Sequence, residues 1–297
     1  MNVFSLLQYP VKQGVLSMLL AGLILTGIPK CASDGALLEP AALATMREFS
    51  MYDVPENPES VYRLQVNITH LSKIHKFPNL QALHVFGETT QFPREVLRPP
   101  LLQSLTLTLD GRAAIEIPEA ISELRYLTSL RLSGMKLHRL PNNVTRLQML
   151  ERLDVSRNKF IELPAQAFEL SSLREFVLSE NNIQTLPVRW EKLGGLRLLD
   201  LSGNPVSRIP RELLLQMPEL ERLLLKGTRC IQMTVDQPSI TAVSRIGRPK
   251  RDHRGLKRGE TVYIVSLESP QWAAKPQALI SLGDGALHYV DAESLAP

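Results

Sequence analysis

The sequence predicts an α/β fold: a horseshoe-shaped solenoid with a parallel sheet on its concave face, followed by a small all-β C-terminal domain. Three observations predict it. Leucines recur with a 23-residue period through the middle of the chain, the pattern stops after Met233, and the last sixty or so residues alternate short apolar runs with turn residues. With 44% hydrophobic and 22% charged residues in 297, the chain has an ordinary globular composition that excludes wholesale disorder.

The period is clearest in four units that begin at Leu127, Leu150, Leu173 and Leu196. Each reads LxxLxLxxNxLxxLP with few exceptions. The second supplies Leu150, Leu153, Val155, Asn158, Phe160, Leu163 and Pro164. The third supplies Leu173, Phe176, Leu178, Asn181, Ile183, Leu186 and Pro187, and the fourth Leu196, Leu199, Leu201, Asn204, Val206, Ile209 and Pro210. The first has Met135 at the asparagine place, and a final unit opening at Leu220 has Thr228 there. Upstream, Leu102, Leu80 and Val61 open weaker units at spacings of 25, 22 and 19 residues, which leaves their boundaries open. The array is read as about eight units over residues 61–232.

The xLxL stretch is a short strand whose leucines point inward with period two. Asparagine then bonds backbone groups that the following turn would leave unpaired. The LP step opens the outer segment. Between Pro164 and Leu173 there is room for about two helical turns, with Phe168 and Leu170 facing in. Each unit buries leucines that it cannot bury alone, at roughly 1.5–3 kcal/mol per side chain, so stacking stabilises the array. On these motifs residues 61–232 resemble the 23-residue leucine-rich repeats of bacterial and plant intracellular-type proteins and of Ras-suppressor-like scaffolds. The resemblance implies a horseshoe and a binding role rather than a reaction. Extracellular animal repeats usually carry cysteine-rich caps, which this chain lacks. Repeat-bearing ubiquitin-ligase effectors need a catalytic cysteine in a large C-terminal domain, and no cysteine follows Cys230 here.

At the N-terminus, Lys12 precedes the apolar run Val15 to Ile28, then Pro29 and Lys30. The run matches a signal-peptide core and is short for a spanning helix. Residues 1–33 are therefore read as a signal peptide or membrane anchor. The protein is expected to be extracytoplasmic, periplasmic or secreted, with a membrane tether through residues 13–30 as the alternative. Whether Cys31 is cleaved, lipidated or retained stays open. Residues 34–60 are expected to cap the array, with Pro40 to Phe49 as a short helix.

Residues 238–297 are read as a small β-domain with strands near 240–243, 261–265, 279–282 and 287–290. LKRGETVYIV (256–265), Trp272 and ALHYVDAESLAP (286–297) resemble the Src-homology-3-like barrel. Asp291 and Ser294 stand where that family has proline and tyrosine, so proline-rich-ligand binding is not carried over. A capping domain on the last repeat is the other reading. From Arg245 to Arg258, seven Lys or Arg face one acid, Asp252. That block supports an alternative function, nucleic-acid or anionic-surface binding.

No Gly-rich phosphate loop, GxSxG elbow, HExxH helix or Cys/His metal spacing occurs. Neither catalysis, a cofactor, a metal nor a small-molecule substrate is expected. Asp154 and Asp200 recur at one strand position, and with Glu175 and Glu180 they suggest a carboxylate pair. Arg131, Arg152 and Arg157 lie in adjacent columns and are expected to pair with them, which makes a mixed-charge face the better reading. Val177, Leu198 and Leu224 are apolar at outward positions where the fold needs none. Together with Arg222 and the charged residues just named they form the candidate site, an apolar cluster with a charged rim that binds a protein. His84 and Phe86 occupy equivalent positions upstream. The expected function is a non-catalytic interaction module of an exported or membrane-tethered protein, or else a host-directed effector. Nucleic acid is not the expected partner.

Overall fold

The computed structural model describes residues 37–230 except 111–113, 188, 211–212 and 214–215, and beyond them only the strands named below. Nine strands run in chain order through one parallel sheet: β1 (Glu48–Ser50), β2 (Arg63–Asn67), β3 (Ala82–Glu88), β4 (Ser104–Asp110), β5 (Ser129–Ser133), β6 (Arg152–Asp154), β7 (Glu175–Val177), β8 (Leu198–Asp200) and β9 (Arg222–Leu224). Register is strict. Phe49, Leu64, Leu83, Leu105, Leu130, Leu153, Phe176, Leu199 and Leu223 lie side by side, so the repeat positions stack. From Leu64 onward this inward row is fully buried and lies in one continuous apolar core. The uneven spacings upstream leave the register intact, because the extra or missing residues fall between strands.

The first strand lies where the sequence suggests helix. Helix α1 (Pro40–Thr45) is shorter than expected, and Glu48–Ser50 pairs with Arg63–Gln65 as an edge strand. Two buried glutamines fasten the segment before α1 to the sheet. Gln103 Nε2 donates to Leu38 O and to Gln81 Oε1, and Leu38 N–H donates to Gln81 Oε1. This polar pair has three bonds among its own groups and the Leu38 backbone, so its burial is compensated.

Most of the described outer segments are short 3-10 helices rather than α-helices; Ile68–Lys76 runs to nine residues, and after Pro210 the Met217 N–H bonds four residues back to Leu213 O as in an α-turn. The short ones include Glu119–Glu123, Asn142–Arg146 and Ala165–Glu169, each directly after a proline. The reason lies in a spacing of three: Pro141, Val144, Leu147 and Leu150, then Pro164, Ala167, Leu170 and Leu173. A helix with three residues per turn puts all of these on one face. The N–H groups of Val144, Leu147 and Leu150 accordingly bond three residues back, at 3.3, 3.0 and 3.0 Å. Leu170 is buried as expected. Phe168 is only partly buried and packs edge-on against Trp190, at 5.2 Å between ring centroids. Trp190 is fully buried, and its Nε1 donates to Pro187 O at 2.7 Å.

Asparagines tie successive turns together. Asn181 Nδ2 donates to Leu178 O in its own repeat and to Val155 O in the preceding one, while its Oδ1 accepts from Phe160 N–H. Asn158 and Asn204 make the equivalent bonds. At the last turn Thr228 Oγ1 donates to Leu225 O instead.

A second, antiparallel set of strands follows: β10 (Gln232–Val235), β11 (Val243–Ser244), β12 (Thr261–Glu268), β13 (Gln277–Ser281), β14 (Leu287–Asp291) and β15 (Leu295–Ala296). Their order is β11-β14-β13-β12-β10-β15. Val265 and Leu287 belong to the same buried cluster as the repeat leucines. The basic block 245–258, Trp272 and the N-terminal segment 1–33 lie outside the described residues. Among the described residues, no helix is long and apolar enough to cross a membrane.

Candidate functional site

Alternation along each strand puts every second side chain on the open face of the sheet. Register then sorts these side chains into columns. One column runs Ser129, Arg152, Glu175, Leu198 and Arg222, and its neighbour runs Arg131, Asp154, Val177, Asp200 and Leu224. All the strand residues proposed from sequence therefore share one surface. Arg157 and Glu180 sit in the turns just beyond it.

The expected ion pairs form, and each follows one rule. Arg131 Nε donates to Asp154 Oδ2 at 2.8 Å, Arg152 pairs with Glu175, and Arg157 Nε donates to Glu180 Oε2 at 3.2 Å. In each case the arginine lies one repeat upstream of its acid, at the same register. Asp154 departs from a freely solvated reading, because its side chain is 8% exposed beneath Arg131. It acts on the surface through that arginine.

Asp200 breaks the rule. Val177 occupies the upstream place where an arginine would stand. Among the described residues, the Asp200 carboxylate accepts only from Ser202 N–H, at 2.9 Å from Oδ1. Val177, Leu198 and Leu224 around it are half-buried, neither in the core nor fully exposed.

Backbone strain marks the neighbouring turns. The residue before the asparagine place is left-handed in five successive repeats: Gly134, Arg157, Glu180, Gly203 and Gly227, with φ of 76, 57, 56, 68 and 74°. Glycine adopts that region freely, whereas other residues do so at about 1–2 kcal/mol. Only the two positions that carry the Arg157–Glu180 pair depart from glycine.

At the N-terminal end of the same face lies a hollow of about 440 Å³ under α1, lined by Arg63, His84, Ser104, Thr106, Ser129 and Arg131 among others. His84 Nε2 lies 3.3 Å from Thr108 Oγ1, and its ring is 6.1 Å from that of Phe86. Burial lowers the His84 pKa; Glu48 opposes this and Arg131 adds to it. Reading the sequence missed Arg63 and Glu48 here, because their place depends on β1 and α1 folding over the first repeats. Among the described residues, no cluster of three His, Cys, Asp or Glu is placed to hold a metal ion.

The leucine rich repeat family model matches residues 148–206 and 171–229. This chain contains leucine-rich repeats. A leucine-rich-repeat protein of Leptospira interrogans is 23% identical with a TM-score of 0.40, covering 57% of this chain and 56% of its own. TLR13, solved in complex with ssRNA13, is 22% identical with a TM-score of 0.50 over 65% of this chain and 31% of its own. The ectodomain of the Arabidopsis receptor kinase HAESA, solved with a peptide hormone ligand, is 18% identical with a TM-score of 0.45, over 61% of this chain and 32% of its own. This chain thus spans about half of the first protein and about a third of the other two. At its identity the likeness to TLR13 concerns the fold alone. No curated protein sequence matches this one significantly.

Proposed function

We propose that the repeats form a non-catalytic docking module whose open, concave face binds a partner protein. The observation that carries this reading is the half-buried cluster Val177, Leu198 and Leu224, set at surface positions and bordered by ion pairs. Interfaces are commonly built as an apolar centre within a polar rim. The left-handed Arg157 and Glu180 add to it, since local strain kept beside a surface patch points to use of that patch. The arginines of the central strands are matched to carboxylates, which suits a protein better than a nucleic-acid backbone.

The antiparallel pairing of β10 with both β12 and β15 supports a small β-unit after the repeats, as a Src-homology-3-like or capping domain. Export or tethering through residues 1–33 completes the proposal. Intact mass of the chain from its native host tests that part; a mature terminus near residue 33 is the expected result.

Docking is tested with a photo-crosslinking side chain at Leu224 in the native host. A discrete protein adduct is expected there and not from exposed Met149. Val177→Asp with Leu198→Asp should abolish the adduct without lowering the thermal midpoint. Leu178→Asp, which buries a charge in the core, should unfold the array. A double variant that melts like Leu178→Asp would show the patch to be core rather than site.

A further inference from the structure

We infer that Asp200 is a subsite for a basic side chain, and that the docking segment of the partner presents a lysine or arginine to it. The inference rests on the docking reading above and names the chemistry of the partner. Its basis is a missing arginine. In three places on this face an acid receives an arginine from one repeat upstream: Asp154 from Arg131, Glu175 from Arg152, and Glu180 from Arg157. Asp200 stands at the register of Asp154 two repeats later, and its Oδ1 likewise accepts from the N–H of a serine two residues on. Its upstream neighbour is Val177 and its downstream neighbour Leu224, while Leu198 precedes it by two residues on its own strand. Among the described residues it has no cationic partner, and Oδ2 accepts no bond.

The arrangement fits one kind of side chain. A lysine or arginine has an aliphatic stem that packs on apolar surface and a cationic head that needs an anion. Here, among the described residues, three half-buried apolar side chains surround a carboxylate whose Oδ2 accepts no bond. A wholly apolar ligand would cover that carboxylate and leave it desolvated without compensation. An acidic ligand would meet like charge. A basic residue would complete the ladder in trans, doing for Asp200 what Arg131 does for Asp154.

The test uses the full chain and a displayed library of random short peptides, from which binders are selected and synthesised. Peptides whose binding is lost with Val177→Ala and Leu198→Ala, which remove the apolar contact without adding charge, identify the docking face. The inference expects these peptides to carry a lysine or arginine. Replacing that residue with glutamine, or making Asp200→Asn in the protein, should each weaken binding by at least about fivefold, with no further loss when combined. Asp200→Asn keeps the Oδ1 acceptor for Ser202 N–H, so the fold is retained. Val177→Arg should supply the missing arginine in cis and exclude these peptides. Face-dependent peptides that lack a basic residue and tolerate Asp200→Asn would overturn the inference while leaving the docking face intact. If no selected peptide depends on Val177 and Leu198, the docking face falls, and the inference with it.

Discussion

Replacing Asn181 with alanine separates the hydrogen-bond ladder from simple leucine packing. The side chain accepts a bond of 3.1 Å from Phe160 N–H and donates bonds of 3.0 and 2.9 Å to Val155 O and Leu178 O, with a longer contact of 3.3 Å to Ser179 O that shares one of the same two donors. Both carbonyls keep another partner, because Asn158 Nδ2 also donates to Val155 O and Asn204 Nδ2 to Leu178 O. Phe160 N–H is the group left orphaned. Three net bonds at about 1 kcal/mol each, with on the order of 1 kcal/mol more for a buried unpaired donor, give a loss of about 4 kcal/mol. The assay is urea denaturation followed by far-ultraviolet circular dichroism, with amide exchange to localise the effect. Exchange should quicken first at Phe160 and its neighbours, since repeats are coupled mainly to their nearest neighbours. A loss below about 1 kcal/mol would refute the ladder as a source of stability and leave the leucine core as the whole account.

Two further predictions concern strain and pH. Glu180→Gly relieves a left-handed residue at the cost of an exposed ion pair, so stability should rise by about 0.5–1 kcal/mol; a loss of that size in a thermal melt would mean that the pair outweighs the strain. His84 has a depressed pKa in the folded state, chiefly through burial. As pH falls through the ordinary histidine range the unfolded chain takes up a proton before the folded one does, so stability should decline there and level off below the folded pKa. His84→Gln should flatten that part of a pH–stability profile, and an unchanged slope would assign the pH dependence elsewhere.

Much of the array was legible in the sequence. Inward leucines, turn asparagines and the shared surface of Arg131, Asp154, Val177 and Asp200 all follow from a 23-residue period combined with strand alternation. The outer 3-10 turns were present as a spacing of three from Pro141 to Leu150, but apolar spacing alone separates poorly the two kinds of helix in so short a segment. The edge strand Glu48–Ser50 was hidden because the helix-like run PAALATMREF continues into it, and only pairing with β2 draws Glu48 and Phe49 out of that run.

By itself the sequence determined which strand and turn side chains enter the core, because a periodic pattern is a local property that each repeat states again; on the outer segments it misplaced Phe168. What only the tertiary structure decided is which surface charges are satisfied. Asp154 and Asp200 have closely similar local sequences, RLDVS and LLDLS, yet one is covered by an arginine and the other is not. The difference is set 23 residues upstream, at Arg131 and Val177. Parallel stacking brings those residues alongside at the spacing of neighbouring strands, about 4.8 Å. Electrostatic interaction depends on that distance in space, and the strand register alone fixes it.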